Sequence, residues 1–192
     1  MTLTGPTLAY VLREAGESDI HELVEIIRSS FQDVALRFRL TEENCPKHPS
    51  NCRDSWIAEA LNKGIRYFML DVDGASCGCV ALEQANPEVC YLERLAVLPH
   101  QRQRGFGKAL VDHVLWEAGQ LNARRVEIGI IADQTELREW YRRIGFLDGK
   151  KAAFPHLPFQ VLFMVRTLDD PACRFEAVNE SPCSPRQQRS KP

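Results

Sequence analysis

The sequence predicts an α/β fold: one domain around a mixed, mostly antiparallel sheet with helices on both faces. Apolar residues alternate with a period of two in several short runs and recur at helical spacing in others. One strand–helix–strand succession, Val89 to Ile131, sits among strands joined by hairpin signals, so a single parallel crossover is expected within antiparallel surroundings. With 192 residues, 44% hydrophobic and 26% charged, the chain has the size and composition to fill one ordinary core.

The elements follow in order. Thr7 to Glu14 reads as a strand with Leu8, Tyr10 and Leu12 on one face. Ser18 is placed to cap a helix whose Ile20, Leu23, Val24, Ile27 and Phe31 repeat at helical spacing. Thr41 to Arg53 has no clear period, and a short helix capped by Asp54 follows it. Ile65–Val72 and Ala75–Gln84 flank Asp73-Gly74, a hairpin signal, and Val89–Leu98 forms a third strand after Asn86-Pro87. Phe106, Leu110, Val114, Ala118 and Leu121 mark a helix over Gly105 to Leu121, and Val126, Ile128 and Ile130 alternate in a strand. Asp133 with Glu136 resembles a capping box for a helix lined by Leu137, Trp140, Tyr141 and Ile144 and ended by Gly145. Strands over Phe146–Lys151 and Gln160–Thr167 enclose the loop Ala152 to Phe159. From residue 168 the composition changes, with Pro171, Pro182, Pro185 and Pro192 and little periodicity. The domain is therefore expected over 1–167 and a flexible tail over 168–192.

Composition excludes several classes. A net charge of −2 provides no basic field for nucleic acid or anionic membrane. No run approaches the roughly 20 apolar residues of a membrane span. Met1 to Pro6 is polar and turn-like, unlike a signal peptide, and the odd count of seven scattered cysteines suits reduced thiols. A cytoplasmic location is expected, and the exposed strand edges suit a homodimer.

The most informative stretch runs from Tyr91 through a basic loop to Lys108. Gly105 and Gly107 let the backbone amides of a helix N-terminus approach a phosphate, and Arg102, Arg104 and Lys108 add positive charge. A pyrophosphate suits such a turn, although the same residues also make an ordinary helix start. Two other phosphate motifs do not match, because Ala109 follows Gly107-Lys108 and Leu110 stands where a dinucleotide fingerprint has its third glycine.

Arg102-Gln-Arg-Gly-Phe-Gly107, preceded by Leu95-Ala-Val-Leu-Pro99 and followed by Trp140-Tyr141 and Gly145-Phe146, resembles the signature of the GNAT superfamily of acetyl-coenzyme A-dependent N-acetyltransferases. The resemblance covers Thr7 to Thr167 and implies that the strand over Glu93–Leu98 bulges and splays from its parallel neighbour. It implies acetyl-CoA as acyl donor, with main-chain bonds from Leu95, Ala96 and Val97 to the cofactor arm. Gln103, Arg104, Gly105, Phe106, Gly107 and Lys108 would then hold its pyrophosphate. Gln134 stands where many relatives have an Asn that contacts the arm.

Acyl transfer to an amine requires two proton movements. An alkyl amine is neutral in only about one molecule in 2,500 at pH 7, a deficit of roughly 4.6 kcal/mol, and the departing thiolate must be reprotonated. The resemblance gives Tyr141 the role of general acid, while the residue alone also reads as packing on its helix stripe. The same resemblance makes Glu93 the candidate base, since many relatives carry an acidic residue or histidine on this strand, with an arginine salt bridge as its other reading. Alternation puts Tyr91, Glu93, Leu95 and Val97 on one strand face and Arg94 on the other.

His48, in Asn44–Cys52, and His156, in Phe154–Phe159, are candidates to line the acceptor site. No metal is expected, since Cys45, His48 and Cys52 lack the short paired spacing of structural zinc sites. Cys77 and Cys79 are expected on one strand face as small apolar residues. The expected activity is acetyl transfer to a primary amine of a small molecule or to an exposed amino group. A non-catalytic acyl-CoA-binding module and a protein or peptide N-terminal acetyltransferase are the alternatives. A chamber closed by 41–53 and 152–159 favours a small molecule, and one open at both ends favours a peptide.

Overall fold

At Asp73-Gly74 the backbone takes φ of 52° and 80°, the double left-handed turn that matches strand twist in a two-residue hairpin. In the computed structural model, which describes residues 9–168, this hairpin lies inside a seven-stranded sheet. The strands are β1 (Val11–Glu14), β2 (Arg66–Val72), β3 (Ala75–Asn86), β4 (Val89–Val97), β5 (Arg125–Ile131), β6 (Leu147–Ala153) and β7 (Gln160–Thr167). The helices are α1 (Ile20–Phe38), α2 (Asp54–Asn62), α3 (Phe106–Gln120) and α4 (Thr135–Arg143). Strand order is β1-β2-β3-β4-β5-β7-β6, and every pairing is antiparallel except β4 with β5. The mixed α/β architecture is the one predicted. No helix among the described residues is long and apolar enough to cross a membrane.

Each sheet face carries its own core. On one face Phe68, Leu70, Leu82 and Leu92 pack with Leu110 and Val114 of α3 and with Tyr141 and Trp140 of α4. On the other, Tyr67, Met69, Cys79, Ala81 and Ala96 pack with Leu23 and Ile27 of α1 and Ile57 of α2. Burying these side chains contributes on the order of 1.5–3 kcal/mol each. A third small cluster joins Ala35 and Leu40 at the end of α1, Cys45, Ile131 of β5, and Leu157 and Phe159 of the β6–β7 loop.

Several helix starts differ from expectation. Ser18 does not cap α1; the chain first makes a short 3-10 turn, and the Asp19 carboxylate accepts the Gly16 N–H at 2.8 Å. Arg53 rather than Asp54 occupies the cap position of α2, and Gln134 rather than Asp133 that of α4. Glu136 does not close a capping box, because its carboxylate is taken by Arg37 of α1 at 3.0 Å. Gly145 does end α4, at φ 92°. The first strand begins at Val11, and Leu8 lies outside the described residues, as does the tail from residue 169 onward. Leu168 itself packs on the core, and its N–H donates to the Arg124 carbonyl.

Two bulges override simple alternation. In β3, Ser76 pairs with Asp71 and Gly78 with Leu70, so Cys77 is an extra residue. Cys77 therefore joins the α3/α4 core while Cys79 joins the α1/α2 core, correcting the expectation of a shared face. In β4, Glu93 pairs with Ala81 and Ala96 with Cys79, and Arg94 between them has φ 50°. Glu93 thus faces α1 with Ala81 and Ala96, whereas Leu95 and Val97 pack against the opposite core. The expectation that Glu93, Leu95 and Val97 share a face fails at this bulge. Arg94 turns to the α1 side, where its guanidinium donates to the Tyr67 hydroxyl.

The bulged strands approach closely at Gly78, where an added Cβ would lie 2.9 Å from the Ala96 carbonyl oxygen and 3.1 Å from Leu110 Cδ1. Gly78→Ala is expected to destabilise the fold by about 1–3 kcal/mol. Urea unfolding with an unchanged midpoint would refute this close-contact account.

Candidate functional site

The parallel pairing of β4 and β5 starts at Val89 and Arg125 and stops at its third rung, Tyr91 with Glu127. Beyond it the strands separate, and a cavity of about 1120 Å³ opens between them. Its volume exceeds the roughly 300–1,000 Å³ of an ordinary small-molecule pocket, so it has room for more than one ligand. On the α3/α4 side it is lined by Leu95, Val97, Gly107, Leu137, Trp140 and Tyr141; on the α1 side by Phe31, His48, Glu93, Gly129, Phe159 and Phe163. The passage runs through the sheet from one face to the other.

At one end of this cavity the chain makes an anion cradle. Gln103 and Gly105 have φ of 63° and 87°, and the second of these ends the loop at the start of α3. Among the described residues, the N–H groups from Gln103 through Lys108 donate to no backbone carbonyl and no side chain. Successive free amides at a helix N-terminus, with the helix dipole behind them, form a concavity suited to phosphate oxygens. Of the two glycines, only Gly105 takes the left-handed backbone that glycine supplies. At Gly107 the nearest atom to an added Cβ is Trp140 Cζ2 at 3.5 Å, an ordinary contact, so protein packing does not demand that glycine.

The basic residues of the turn contribute less free charge than the sequence suggests. Arg102 is bound to the α1 residue Asp33 and to the Ser30 carbonyl, and its Nε donates to the Val97 carbonyl at 3.2 Å. It ties α1 to β4 rather than facing a ligand alone. Lys108 pairs with Asp112 one turn along α3. Arg104 lies over the Phe106 ring, donates to Gln101, and does not line the cavity. Backbone amides therefore carry most of the cradle's positive field.

The other predicted residues fall as follows. Leu95, Ala96, Val97, Gln103, Gly105, Phe106, Gly107, Lys108 and Gln134 all line the cavity, together with Glu93, Tyr141 and His48. Tyr141 is 4% exposed, its hydroxyl bonds to no described residue, and burial pushes its pKa above the usual tyrosine value. Glu93 has its pKa raised by burial, an effect reinforced by Glu83 and opposed by the Arg94 charge. His48 is buried; its Nδ1 lies 2.8 Å from Ser50 Oγ and accepts the Ser50 N–H at 3.3 Å. An acceptor at Nδ1 puts the proton of the neutral ring on Nε2. His156 is exposed beside Phe154 and is not among the lining residues; Phe159 of the same loop is. Cys45, His48 and Cys52 do not gather into a metal-ligating group among the described residues.

Two lining features have no signal in the sequence. Ser30 Oγ is buried without a hydrogen-bond partner among the described residues, just behind the cavity wall. Gly129 of β5 is exposed, and Val161 and Phe163 close in beside it where a larger residue would place its side chain.

The Acetyltransferase (GNAT) family profile matches residues 20–146, which include the splayed strands, the cradle and α4. The chain belongs to this family. GNAT structures share its fold at low identity. Ard1 from Thermoplasma volcanium is 20% identical, with a TM-score of 0.68 over 84% of this chain and 99% of that one. A GNAT-family acetyltransferase from Staphylococcus aureus Mu50 is 23% identical, with a TM-score of 0.64 over 84% and 100%. The phosphinothricin acetyltransferase of Sinorhizobium meliloti, solved in complex with AcCoA, is 20% identical, with a TM-score of 0.65 over 85% and 91%. No curated protein sequence is significantly similar to this GNAT chain.

Burial holds the His48 pKa below its usual 6.5, so between the two values the unfolded chain binds the proton and the folded chain does not. The stability this provides is complete above pH 6.5 and declines as pH falls below it. His48→Asn is expected to flatten the fall in stability between pH 7 and pH 5. An unchanged slope of unfolding free energy against pH would contradict this.

Proposed function

We propose that this protein is an acetyl-coenzyme A-dependent N-acetyltransferase that transfers an acetyl group to a primary amine. The observation that carries the reading is a cavity passing between β4 and β5 from an unpaired amide cradle to a half-buried carboxylate on the opposite sheet face. The cofactor's pyrophosphate suits the amides of Gln103 to Lys108. Its acyl-pantetheine arm suits the unpaired edge of β4 at Leu95, Ala96 and Val97, pairing as an added strand would. Gln134 provides a polar side chain along that path.

In this reading Glu93 accepts a proton from the acceptor ammonium, and its raised pKa narrows the gap to the amine. The neutral amine nitrogen then forms a bond to the thioester carbonyl carbon, the carbon–sulfur bond breaks, and the nitrogen's second proton passes to solvent, as does the proton held by Glu93. Tyr141, held protonated by burial, hydrogen-bonds the departing thiolate and supplies its proton, to be replaced from solvent. No covalent enzyme intermediate is needed. The shared cluster of Cys45, Leu157 and Phe159 draws segments 41–53 and 152–159 together beside the cavity, which favours a small-molecule amine over an extended peptide.

Acetyl-CoA is expected to raise the melting temperature, contributing about 2.7 kcal/mol at a hundredfold excess over Kd. Gly107→Glu, which puts a carboxylate in the cradle, is expected to abolish that shift, and a retained shift would overturn the cradle assignment.

Tyr141→Phe is expected to lower kcat by about a hundredfold or more while leaving the acetyl-CoA shift in place. Glu93→Gln should remove the acid limb of the pH–rate profile, where turnover rises as the carboxylate ionises. Full turnover in the first variant, or an intact limb in the second, would remove that residue from the mechanism.

A further inference from the structure

The transferase reading leaves the amine unnamed, and the α1 side of the cavity narrows its class. Register fixes which side chains face that chamber. Glu93 pairs with Ala81, which belongs to the α1/α2 core, and so looks toward α1. Two residues past the last parallel pair, Tyr91 with Glu127, Glu93 and Gly129 stand at the same level across the widening gap. Gly129 is paired with Phe163, and an added Cβ there would lie 3.2 Å from Val161 Cγ1 and 3.7 Å from Phe163 Cε1. The floor opposite Glu93 is therefore an apolar, ring-edged surface, formed by the Val161 and Phe163 side chains, which close in beside the exposed Gly129 backbone.

The rest of the chamber agrees with that floor. Phe31, Phe159 and Phe163 all line the cavity and are only partly buried. Their exposed faces recover about 25 cal/mol for each Å² that an apolar ligand covers. The charges point to a single ammonium. Of the carboxylates lining the cavity, Asp33 is engaged by Arg102, Glu127 by Arg125 and Glu136 by Arg37, whereas Glu93 forms no ion pair with any described residue. A polyamine would place further positive centres against phenylalanine and valine, with no free carboxylate to meet them.

Resting on the proposed transferase activity, we infer that the acceptor is a primary monoamine with an apolar, aromatic-sized body. Its nitrogen meets Glu93, and its body lies on the floor formed by Gly129, Val161 and Phe163. Gly129 and Phe163 are then specificity-determining residues for the acceptor and have no part in holding the cofactor.

The test is steady-state coenzyme A release at saturating acetyl-CoA with 2-phenylethylamine, spermidine and a short peptide bearing a free N-terminus. We expect kcat/KM for 2-phenylethylamine to exceed the other two by tenfold or more. Gly129→Val and Phe163→Ala should each raise KM for 2-phenylethylamine about tenfold while leaving the acetyl-CoA melting shift unchanged. The two variants report independently if one of them folds poorly. Preference for spermidine or the peptide, or an equal effect of both variants on all three amines, would overturn the acceptor class and leave the transferase reading standing. Acetyl-CoA binding with no turnover of any amine would overturn the transferase reading itself.

Discussion

Arg94 sits in left-handed backbone in the middle of a central strand, a conformation that costs a non-glycine residue on the order of 1 kcal/mol or more. The bond from its guanidinium to Tyr67 and the packing of Ala96 beneath α1 hold it there. The bulge it creates changes the course of β4 just past the last rung shared with β5. Backbone at Leu95 to Val97, still paired with β3, is thereby left without a strand on its β5 side, and the sheet acquires an opening where a continuous ladder would have sealed it. The same residue reverses the side-chain alternation, so Glu93 looks to one face and Leu95 to the other. An opening through the sheet and a carboxylate on its far side thus have one local cause.

Electrostatics is arranged on a similarly local scale. With a net charge of −2 the whole molecule attracts anions little, and Arg102 and Lys108 beside the cradle are paired with Asp33 and Asp112. The amides from Gln103 to Lys108 act at contact range, where salt screens them less than exposed side chains. Arg102 serves instead to join α1, the glycine turn and β4, so the two walls of the cavity are held in register by one guanidinium.

Much of this was legible in the sequence because it depends on residue type. Asp73-Gly74, the helical stripe from Phe106 to Ala118, and Gly105 before a helix each express a preference written in a few adjacent residues. The cavity-lining set from Leu95 to Lys108 was readable through its resemblance to a family. What was not legible depends on pairing between distant strands. No local pattern marks Cys77 or Arg94 as an extra residue, yet each reverses the alternation that follows it. The capping box expected at α4 failed for a related reason: Glu136 is taken by Arg37, a residue 99 positions away. His156 looked like a lining residue from its loop, but the loop sends Phe159 inward and leaves the imidazole outside.

The opening through the sheet divides the two walls by the material they are made from. On one side the chain presents main-chain amides and strand edge, which nearly any sequence with the same backbone can supply. On the other it presents side chains: Phe31, His48, Glu93, Phe159 and Phe163. Mutational drift therefore touches the two walls unequally. Such a division lets a lineage exchange one wall residue by residue while the other persists through its geometry. Neighbours only 20–23% identical keep the same fold, as expected when so much of the shared architecture is backbone.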